Sequence, residues 1–505
     1  MKYSIPKVIA ASSVGTLIEW YDFYIFGSLA VLIGKKLFPP DAGASALINT
    51  LAIFAAGFLV RPFGALVFGR IGDLVGRKYT FLVTLVLMGL STFLIGLIPG
   101  FDSWGYGSPI AVLILRLIQG LALGGEYGGA ATYVAEHAPV GKRGLYTSWI
   151  QTTATLGLFL SLGVIVYTRY MLGIVKFNDW GWRIPFLVSI ILVLISLYIR
   201  LKMHESPAFS KIKDEGGISV NPIKESFSHK LNFKMVLLAL FGAVMGQGVV
   251  WYTGQFYAQS FLENTCKLDF NQSRYILIIA IALATPFFIF WGWLSDRVGR
   301  KWIMMAGMLC AILTYRPIYK YFYSHGYQDL LQDKVSVSTP LPMRRAISEI
   351  GDSLFYHPSA VITVNGYKYT ATKVDTLIKD PARGMLADGK TIFTDRIMPD
   401  RIFWMFVFLV FLQILYVTMV YGPIAAFLVE LFPTRIRYTS MSLPYHVGNG
   451  VFGGLVPFIA TLISSFPGSN YLSGLWYPIG VATVCLIIGT LYLENRNDTG
   501  LVDSK

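Results

Sequence analysis

Five ionisable side chains stand inside long apolar stretches of the sequence: Glu19, Asp22, Arg61, Arg116 and Glu126. A charge in a low-dielectric interior costs free energy, so such side chains mark either functional sites or paired structural sites. Glu19 and Asp22 are three residues apart and share one face of a helix. A buried carboxylate beside an arginine can take up a proton when the pair separates and release it when the pair re-forms. The pattern indicates proton exchange without enzyme chemistry, with static structural pairs as the alternative.

The elements that carry these charges are predicted to be lipid-embedded helices. Of the 505 residues, 54% are hydrophobic and only 14% are charged, whereas a typical soluble protein has about 25% charged residues. Apolar runs of about 18 residues or more predict membrane spans rather than core helices. The sequence predicts twelve spans, at 10–33, 47–69, 79–99, 109–135, 145–167, 183–201, 235–258, 275–294, 302–318, 402–428, 439–464 and 472–493.

The net charge of +14 is explained by membrane topology rather than by nucleic-acid binding. Lys and Arg are concentrated in alternate loops, which is the bias that places basic loops on the inner side of a membrane. This bias predicts that both termini are cytoplasmic in a multi-pass protein of the plasma membrane. The first apolar stretch is long and carries acidic residues, so we expect it to remain as a span rather than to be cleaved as a signal.

The two halves of the chain repeat one another. The motif Gly69–Lys78 recurs 223 residues later as Gly292–Lys301, and each copy joins the second and third spans of its half. A looser pair, Glu136–Arg143 and Glu430–Arg437, follows the fourth span of each half. Two parallel six-span halves are typical of transporters. We therefore predict three segments and one insertion: a six-helix bundle over 1–203, a cytoplasmic linker over 204–233, a second bundle over 234–505, and an insertion over 321–400.

The insertion is predicted to be a small extracellular α/β element between the ninth and tenth helices. Ala360–Thr372 contains β-prone residues around Asn365-Gly366, which predicts a hairpin. Ala346–Tyr356 has the spacing of a short amphipathic helix. Two interpretations fit this segment. It is either a tolerated insertion without a role in transport, or an element that captures substrate or shields the outer mouth.

The expected depth of each charge in its span suggests the pairs. Span one enters from inside and span four from outside, so Asp22 and Arg116 fall at similar height. The same reasoning brings Arg61, Glu126 and Glu19 near one another. We take Asp22 as the principal proton carrier, with Arg116 as its partner and Glu19 beside it. Arg61 is the best candidate to bind an anionic substrate, since a guanidinium binds a carboxylate through two hydrogen bonds; a permanent pair with Glu126 is the alternative.

At the paired Gly-x-x-x-Asp-x-x-Gly-Arg-Lys loops the chain resembles the major facilitator superfamily. Further segments are similar to its metabolite–proton symporter family, namely Glu19–Tyr24, Arg61–Gly64, Arg116–Glu126, Trp182–Phe186 and His204–Phe209. The resemblance covers 10–318 and 402–493, and the insertion departs from it. It implies proton-coupled uptake of carboxylates, betaine-like osmolytes or related metabolites. It also implies that an acid–arginine pair between spans one and four serves coupling.

Span seven is unusually polar and aromatic, because Gln247, Trp251 and Gln255 recur every four residues and Tyr252 lies among them. This stripe predicts a cavity wall, although polar side chains of this kind also join helices. Weaker candidates for the substrate site are Glu126, Gln151, His446 and Asn449. A lone histidine inside the membrane is more often hydrogen-bonded structure than a proton site.

The loop motifs have a separate predicted role. The resemblance implies contacts that hold the two halves together in the outward-facing state and break when the protein opens inward. Charges at helix ends also interact with helix dipoles. The predicted gating residues are Gly69, Asp73, Gly76, Arg77, Glu136, Arg143, Gly292, Asp296, Gly299, Arg300, Glu430 and Arg437; we expect Glu136 with Arg143, and Glu430 with Arg437, to complete these networks.

We therefore predict an all-α membrane protein with twelve transmembrane helices in two pseudo-symmetric six-helix bundles. The predicted function is proton-coupled symport of a small organic metabolite, a carboxylate or zwitterion, by alternating access. Its expected partners are that substrate, protons and the lipid bilayer, with no nucleic acid, and we expect a monomer. The sequence shows no Walker-type loop, metal site or enzyme motif, so the proton gradient takes the place of a cofactor. A facilitative uniporter, a metabolite or drug exporter and a non-transporting nutrient sensor remain alternatives.

Overall fold

The computed structural model describes most of the chain. The described residues are 9, 13, 16–17, 20–21, 24–39, 44–201, 214, 220–326, the seven strands between 348 and 397, 398–434 and 436–495. For Ala44, Arg77, Phe81 and most strand residues only the backbone is described.

Within these residues the protein is mostly helical, and eleven helices are long and apolar enough to cross a membrane. They coincide with predicted spans two to twelve. Nine residues of the first predicted span, 10–33, lie outside the described residues, and α1 contains the end of this span. The helices are α1 Ala30–Leu37, α2 Ser45–Leu74, α3 Lys78–Ile95, α4 Gly107–His137, α5 Arg143–Asp179, α6 Gly181–Leu201, α7 Lys230–Thr265, α8 Phe270–Val298, α9 Arg300–Gly326, α10 Asp400–Leu431, α11 Arg437–Ser465 and α12 Ser473–Tyr492.

Two of these helices contain π-helical segments within the described residues. α7 contains three π-helical segments, and α11 contains one at Val447–Gly453. π-helical turns rotate the side chains that follow them and are frequent at functional sites. The segments of α7 are Leu240–Val244, Thr253–Tyr257 and Phe261–Thr265.

α2 consists of two helical segments, Ala44–Leu59 and Arg61–Leu74, which meet at Val60. Pro62 lies in the first turn of the second segment, where the missing N–H has no helical partner to lose. α4 packs closely against this junction, because a Cβ on Gly124 would collide with the carbonyl oxygen of Arg61. This close approach holds the backbone of Arg61, on α2, directly against α4.

The chain divides into two compact units. The first consists of Met1–Tyr257, Ala280–Arg316 and Phe411–Lys505, and the second of Ala258–Ile279 and Pro317–Val410. The polar linker predicted over 204–233 contains the helix Pro222–Ser228, whose Asn221 cap accepts a hydrogen bond from the backbone N–H of Lys224, and the start of α7 at Lys230.

The second unit contains the insertion, whose described part is β-structure. The predicted helix over Ala346–Tyr356 is wrong, because β1 and β2 occupy that stretch as an antiparallel pair. The predicted hairpin is confirmed, since β3 and β4 pair antiparallel across residues 365–366. The sheets have the orders β1-β2-β5-β6 and β3-β4-β7. The strands are β1 Ser348–Ile350, β2 Ser353–Tyr356, β3 Ser359–Val364, β4 Tyr367–Lys373, β5 Asp375–Ile378, β6 Leu386–Ala387 and β7 Thr391–Ile397.

Two contacts fix these strands to helix ends within the second unit. The buried Tyr367 donates a hydrogen bond from its hydroxyl to the carbonyl oxygen of His325, 2.6 Å away. Gln272 bonds both the backbone N–H and the carbonyl oxygen of Met398. α9 continues to Gly326, so this helix extends beyond the predicted start of the insertion at residue 321.

Candidate functional site

Arg61 is almost fully buried, with 1% of its surface exposed, and begins the second segment of α2. Its guanidinium carbon lies 4.2 Å from the ring centre of Phe58 and 5.8 Å from that of Trp20. Tyr252 on α7 and His446 on α11 interact with it electrostatically. The guanidinium is thus surrounded by side chains from both halves of the chain.

Aromatic rings connect these residues into one group. Phe58 meets Tyr252 edge to face at 5.1 Å. Trp251 lies 4.7 Å from Tyr252 and 5.4 Å from Trp20, measured between ring centres. We call this group the central cluster; it consists of Trp20, Phe58, Arg61, Trp251, Tyr252 and His446.

Several buried polar atoms of this region have no hydrogen-bond partner among the described residues. They are both ring nitrogens of His446, the indole N–H of Trp251, and both amide atoms of Gln255 on α7. Leaving such an atom unsatisfied costs about 1–3 kcal/mol, so it needs an explanation. A site for a polar ligand, which hydrogen-bonds these atoms when it is present, is such an explanation. The expectation that His446 is a hydrogen-bonded structural residue is not met in the described part of the chain.

Two of the predicted cavity residues bond to each other instead. The amide nitrogen of Gln247 donates to Asn449 over 3.1 Å, and that of Asn449 donates back over 2.9 Å. Both amides are buried. For this pair the structural alternative holds in this conformation, because the two side chains join α7 to α11.

A layer of tyrosines that the sequence reasoning missed extends across the two halves. Gln151 on α5 donates to the hydroxyl of Tyr127 on α4 over 2.5 Å. The Tyr127 ring stacks face to face on that of Tyr445, with 3.5 Å between centres and 3° between planes. Tyr445 in turn hydrogen-bonds Tyr421 over 2.8 Å. Tyr127 follows Glu126 directly in the sequence, but no spacing pattern connects it to Tyr445.

Arg116, predicted to pair with Asp22, is buried on α4 with 1% of its surface exposed. It donates to the side-chain oxygen of Gln119, and its guanidinium carbon lies 4.3 Å from the ring centre of Phe26. Asp22 and Glu19 lie outside the described residues, so their predicted pairing with arginines stays a prediction.

The partner of Glu126 is Arg200, at the end of α6. Two guanidinium nitrogens of Arg200 donate to the two carboxylate oxygens, and the Thr84 hydroxyl on α3 adds a bond of 3.0 Å. The alternative in which Arg61 forms a permanent pair with Glu126 is therefore wrong. The sequence reasoning did not single out Arg200, which lies at the end of the predicted span 183–201 and has a buried side chain.

The two loop motifs lie at the same end of the first unit, which we call the motif end. Asp296, in the second motif, accepts hydrogen bonds of 2.8 Å from the backbone N–H groups of Gly144 and Leu145 in the first turn of α5. Asp73, in the first motif, accepts bonds from the backbone N–H and the hydroxyl of Thr439 in the first turn of α11. Each aspartate therefore caps the fifth helix of the opposite half, as predicted for charges at helix ends.

The backbone conformation and close contacts of the motif glycines account for the positions of glycine in both motifs. Gly76 and Gly299 have φ values of 130° and 93°, in the region that favours glycine. Gly69 packs against Thr439 and Gly292 against Gly144, the same two helix starts that the aspartates cap. The two motifs therefore make equivalent contacts in the structure as well as being similar in sequence. The side chain of Arg77 lies outside the described residues.

Two ion pairs at the motif end join residues that the sequence did not connect. Glu136 pairs across the halves with Arg437, at 3.2 Å. Glu430 pairs with Arg300, at 2.9 Å, and Arg300 also bonds Asp296 at 2.7 Å. Arg143 is buried at the start of α5. Spacing along the chain identified the participants but did not indicate the Glu136–Arg437 and Glu430–Arg300 pairs.

Comparisons with known proteins agree with this architecture. The family described as "Sugar (and other) transporter" matches residues 7–330. The proline/betaine transporter of Escherichia coli K12 is 36% identical over 324 residues; the match covers 62% of this chain and 64% of that relative, which is less than two thirds of its length. The citrate-proton symporter of Klebsiella pneumoniae is 28% identical over 96% of this chain and 91% of its own.

A solved structure shows the same fold. The proton:xylose symporter XylE, a protein of the major facilitator superfamily from E. coli, superposes with a TM-score of 0.65 at 16% identity. The match covers 98% of this chain and 97% of that one.

Proposed function

The chain belongs to the sugar (and other) transporter family of the major facilitator superfamily, and we propose that it imports a small carboxylate or zwitterion together with protons. Membership makes it a multi-pass membrane transporter of metabolites. The substrate, the coupling ion and the direction of transport are the proposal. Twelve membrane helices, cytoplasmic termini and an outward-facing insertion complete it.

The buried guanidinium of Arg61 in the central cluster carries the proposal. A guanidinium in an apolar interior binds a carboxylate through two charge-assisted hydrogen bonds. The surrounding rings of Trp20, Phe58 and Tyr252 exclude water, which strengthens that interaction. Because the ring contacts come from both halves, a substrate bound to Arg61 is placed at the interface that alternating access requires. The relatives named above, a proline/betaine transporter and a citrate-proton symporter, support a carboxylate-bearing substrate.

Proton coupling is proposed to depend on Asp22, with Arg116 as its partner. Arg116 is buried and lies against Phe26, which follows Asp22 by four residues in the sequence. Residues four apart share a helix face, so this contact supports a pairing between spans one and four. Glu19 lies on the same face by sequence spacing. The name of the citrate-proton symporter, a relative across almost the whole chain, supports a proton as the coupling ion.

The contacts at the motif end are proposed to hold the inner side closed. Asp73, Asp296 and the Glu136–Arg437 pair all join one half to the other. Inward opening would break these bonds together, while rings in the central cluster and the Tyr127–Tyr445 stack would separate. The energy for this exchange comes from substrate and proton binding rather than from a nucleotide.

Gradient-driven uptake in proteoliposomes tests the function. A thermal-shift screen against carboxylates, amino acids and betaines selects the substrate. Uptake of that substrate is then measured with and without an inward proton gradient. We expect accumulation only with the gradient. Asp22→Asn should lose accumulation and keep substrate exchange, while Asp102→Asn, an exposed acid on the helix Phe101–Trp104, should behave as wild type.

Each other outcome supports a different function. Equal uptake with and without the gradient would identify a uniporter, and substrate loss from loaded vesicles driven by an inward gradient would identify an exporter. Binding without any exchange would identify a sensor. Uphill accumulation by Asp22→Asn would refute the role of that residue.

A further inference from the structure

His446 occupies a position in α11 that faces Arg61. It is the last residue of the helical segment Arg437–His446 and directly precedes the π-helical segment Val447–Gly453. Gly450, four residues later, packs against Arg61, since a Cβ there would lie 3.5 Å from the Cδ atom of the arginine. His446 itself interacts electrostatically with Arg61. This face of α11 therefore presents both residues to the guanidinium.

The imidazole is buried and its hydrogen-bonding capacity is unused within the described residues. Only 2% of His446 is exposed, and neither ring nitrogen has a hydrogen-bond partner there. The ring of Tyr445 stands perpendicular to it, with 5.1 Å between ring centres, and the Tyr445 hydroxyl hydrogen-bonds Tyr421 instead. A neutral imidazole offers one donor and one acceptor. His446 can thus pair with a ligand group that donates, accepts or does both.

The other side chains of the central cluster that surround Arg61 are aromatic. Phe58 and Trp20 present ring faces to Arg61, the hydroxyl of Tyr252 interacts with Arg61 itself, and the indole N–H of Trp251 is a donor only. A ligand whose carboxylate binds Arg61 finds a second polar contact that both donates and accepts at His446. A ligand with only methyl groups or a quaternary ammonium leaves the imidazole without a hydrogen bond. Sites built to hydrogen-bond a substrate group reject analogues that lack it.

We propose that His446 determines specificity by hydrogen-bonding a second polar group of the substrate, which makes the preferred class small hydroxy-, oxo- or amino-carboxylates. This inference rests on the proposed binding of a carboxylate by Arg61. Unsubstituted carboxylates and quaternary-ammonium betaines are the disfavoured classes, because neither can use the imidazole.

Binding by the purified full-length protein to matched probes tests the inference. The probes are propionate, lactate, pyruvate, L-alanine, L-proline and N,N-dimethylproline, measured by isothermal titration calorimetry. In wild type we expect at least one polar-substituted acid to bind about 10-fold or more tightly than propionate, and proline to bind more tightly than its dimethyl form. In His446→Leu that preference should fall by about 10- to 100-fold, with propionate affinity within about twofold of wild type.

Two further variants separate specificity from structure. His446→Gln restores a donor and an acceptor and should recover part of the preference. His229→Leu, at an exposed histidine, should leave every affinity unchanged. An equal loss of affinity for all probes in His446→Leu, propionate included, would show a structural role and overturn the inference.

The remaining outcomes distinguish this inference from the function on which it rests. If N,N-dimethylproline binds best and His446→Leu leaves its affinity unchanged, aromatic faces select the ligand and the role of His446 is refuted, while carboxylate binding by Arg61 survives. If no probe binds wild type, carboxylate binding by Arg61 is refuted, and the role of His446 is refuted with it.

Discussion

The motif end and the central cluster are both buried and polar, but they differ in how completely their groups are paired. At the motif end Asp73, Asp296, Glu136 and Glu430 all bond backbone N–H groups or arginines. In the central cluster the imidazole of His446 and the indole N–H of Trp251 have no hydrogen-bond partner within the described residues. Acids that are all bonded stabilise one conformation, whereas polar groups without a partner gain hydrogen bonds when a ligand binds.

The two regions should therefore respond differently to substitution. Changes at the motif end should alter the balance between conformations and leave the intrinsic affinity for substrate intact. Changes in the central cluster should alter binding and leave the fold intact. Three sets of substitutions test this division.

The largest expected effect is that of Arg61→Lys in the central cluster. Lysine keeps the positive charge but lacks the planar fork that binds a carboxylate through two bonds. We expect substrate exchange in proteoliposomes to fall by about 100-fold or more, because the lost interaction lies in the dry centre. The melting temperature should stay within a few degrees of wild type.

Arg70→Lys is the matched control, since Arg70 lies on the same helix and is exposed. It should leave exchange unchanged. If Arg61→Lys exchanges substrate at the wild-type rate, the guanidinium does not contact substrate. The central cluster would then not be the substrate site, and the proposed difference between it and the motif end would be refuted.

A smaller effect is expected when the two motif aspartates are replaced by alanine. Asp296→Ala removes bonds to two backbone N–H groups and to Arg300, whereas Asp73→Ala removes bonds to one N–H and one hydroxyl. Loss of a helix cap costs about 0.5–2 kcal/mol, with more for a charge-assisted bond. Hydrogen exchange should accelerate about fivefold to thirtyfold in the first turn of α5 for Asp296→Ala, and in that of α11 for Asp73→Ala.

The exchange map itself contains the control. Each variant should affect only the helix start that its aspartate caps, and substrate affinity, corrected for the change in conformational balance, should stay within about threefold. Equal acceleration throughout both halves would show global destabilisation, and the aspartates would then be fold determinants rather than contacts that open in transport.

The motif end was largely predictable from the sequence, because its determinants are local. Asp73 and Asp296 recur at one spacing, and the glycines that follow them, Gly76 and Gly299, adopt the positive φ that favours this residue. Helix ends offer unsatisfied N–H groups, which aspartates bind wherever the chain brings them together. Local sequence therefore identified both the residues and their chemistry.

Partner choice was not predictable, because it depends on where long side chains reach in three dimensions. Arg200 lies at the end of the predicted span 183–201 and was not singled out, yet its side chain pairs with Glu126. Tyr127 and Tyr445 belong to different halves, and no periodicity relates them. In the insertion, Ala346–Tyr356 has helical spacing, but antiparallel pairing between β1 and β2 overrides it. Sequence spacing places a residue on a helix face without specifying what the face meets.

The smallest expected effect concerns Gln247 and Asn449. Their substitution tests whether the two amides belong to the central cluster or only join helices. Their amides bond reciprocally, so Gln247→Leu leaves the amide of Asn449 buried without that partner, at a cost of about 1–3 kcal/mol. Replacing both by leucine removes the orphaned group, so the double variant should unfold at a higher temperature than either single variant. Substrate affinity should stay near the wild-type value in the double variant, since the pair joins α7 to α11 and does not bind ligand. A double variant that is stable but has lost substrate binding would assign both amides to the central cluster, and the reciprocal pair would then be a state that the substrate breaks.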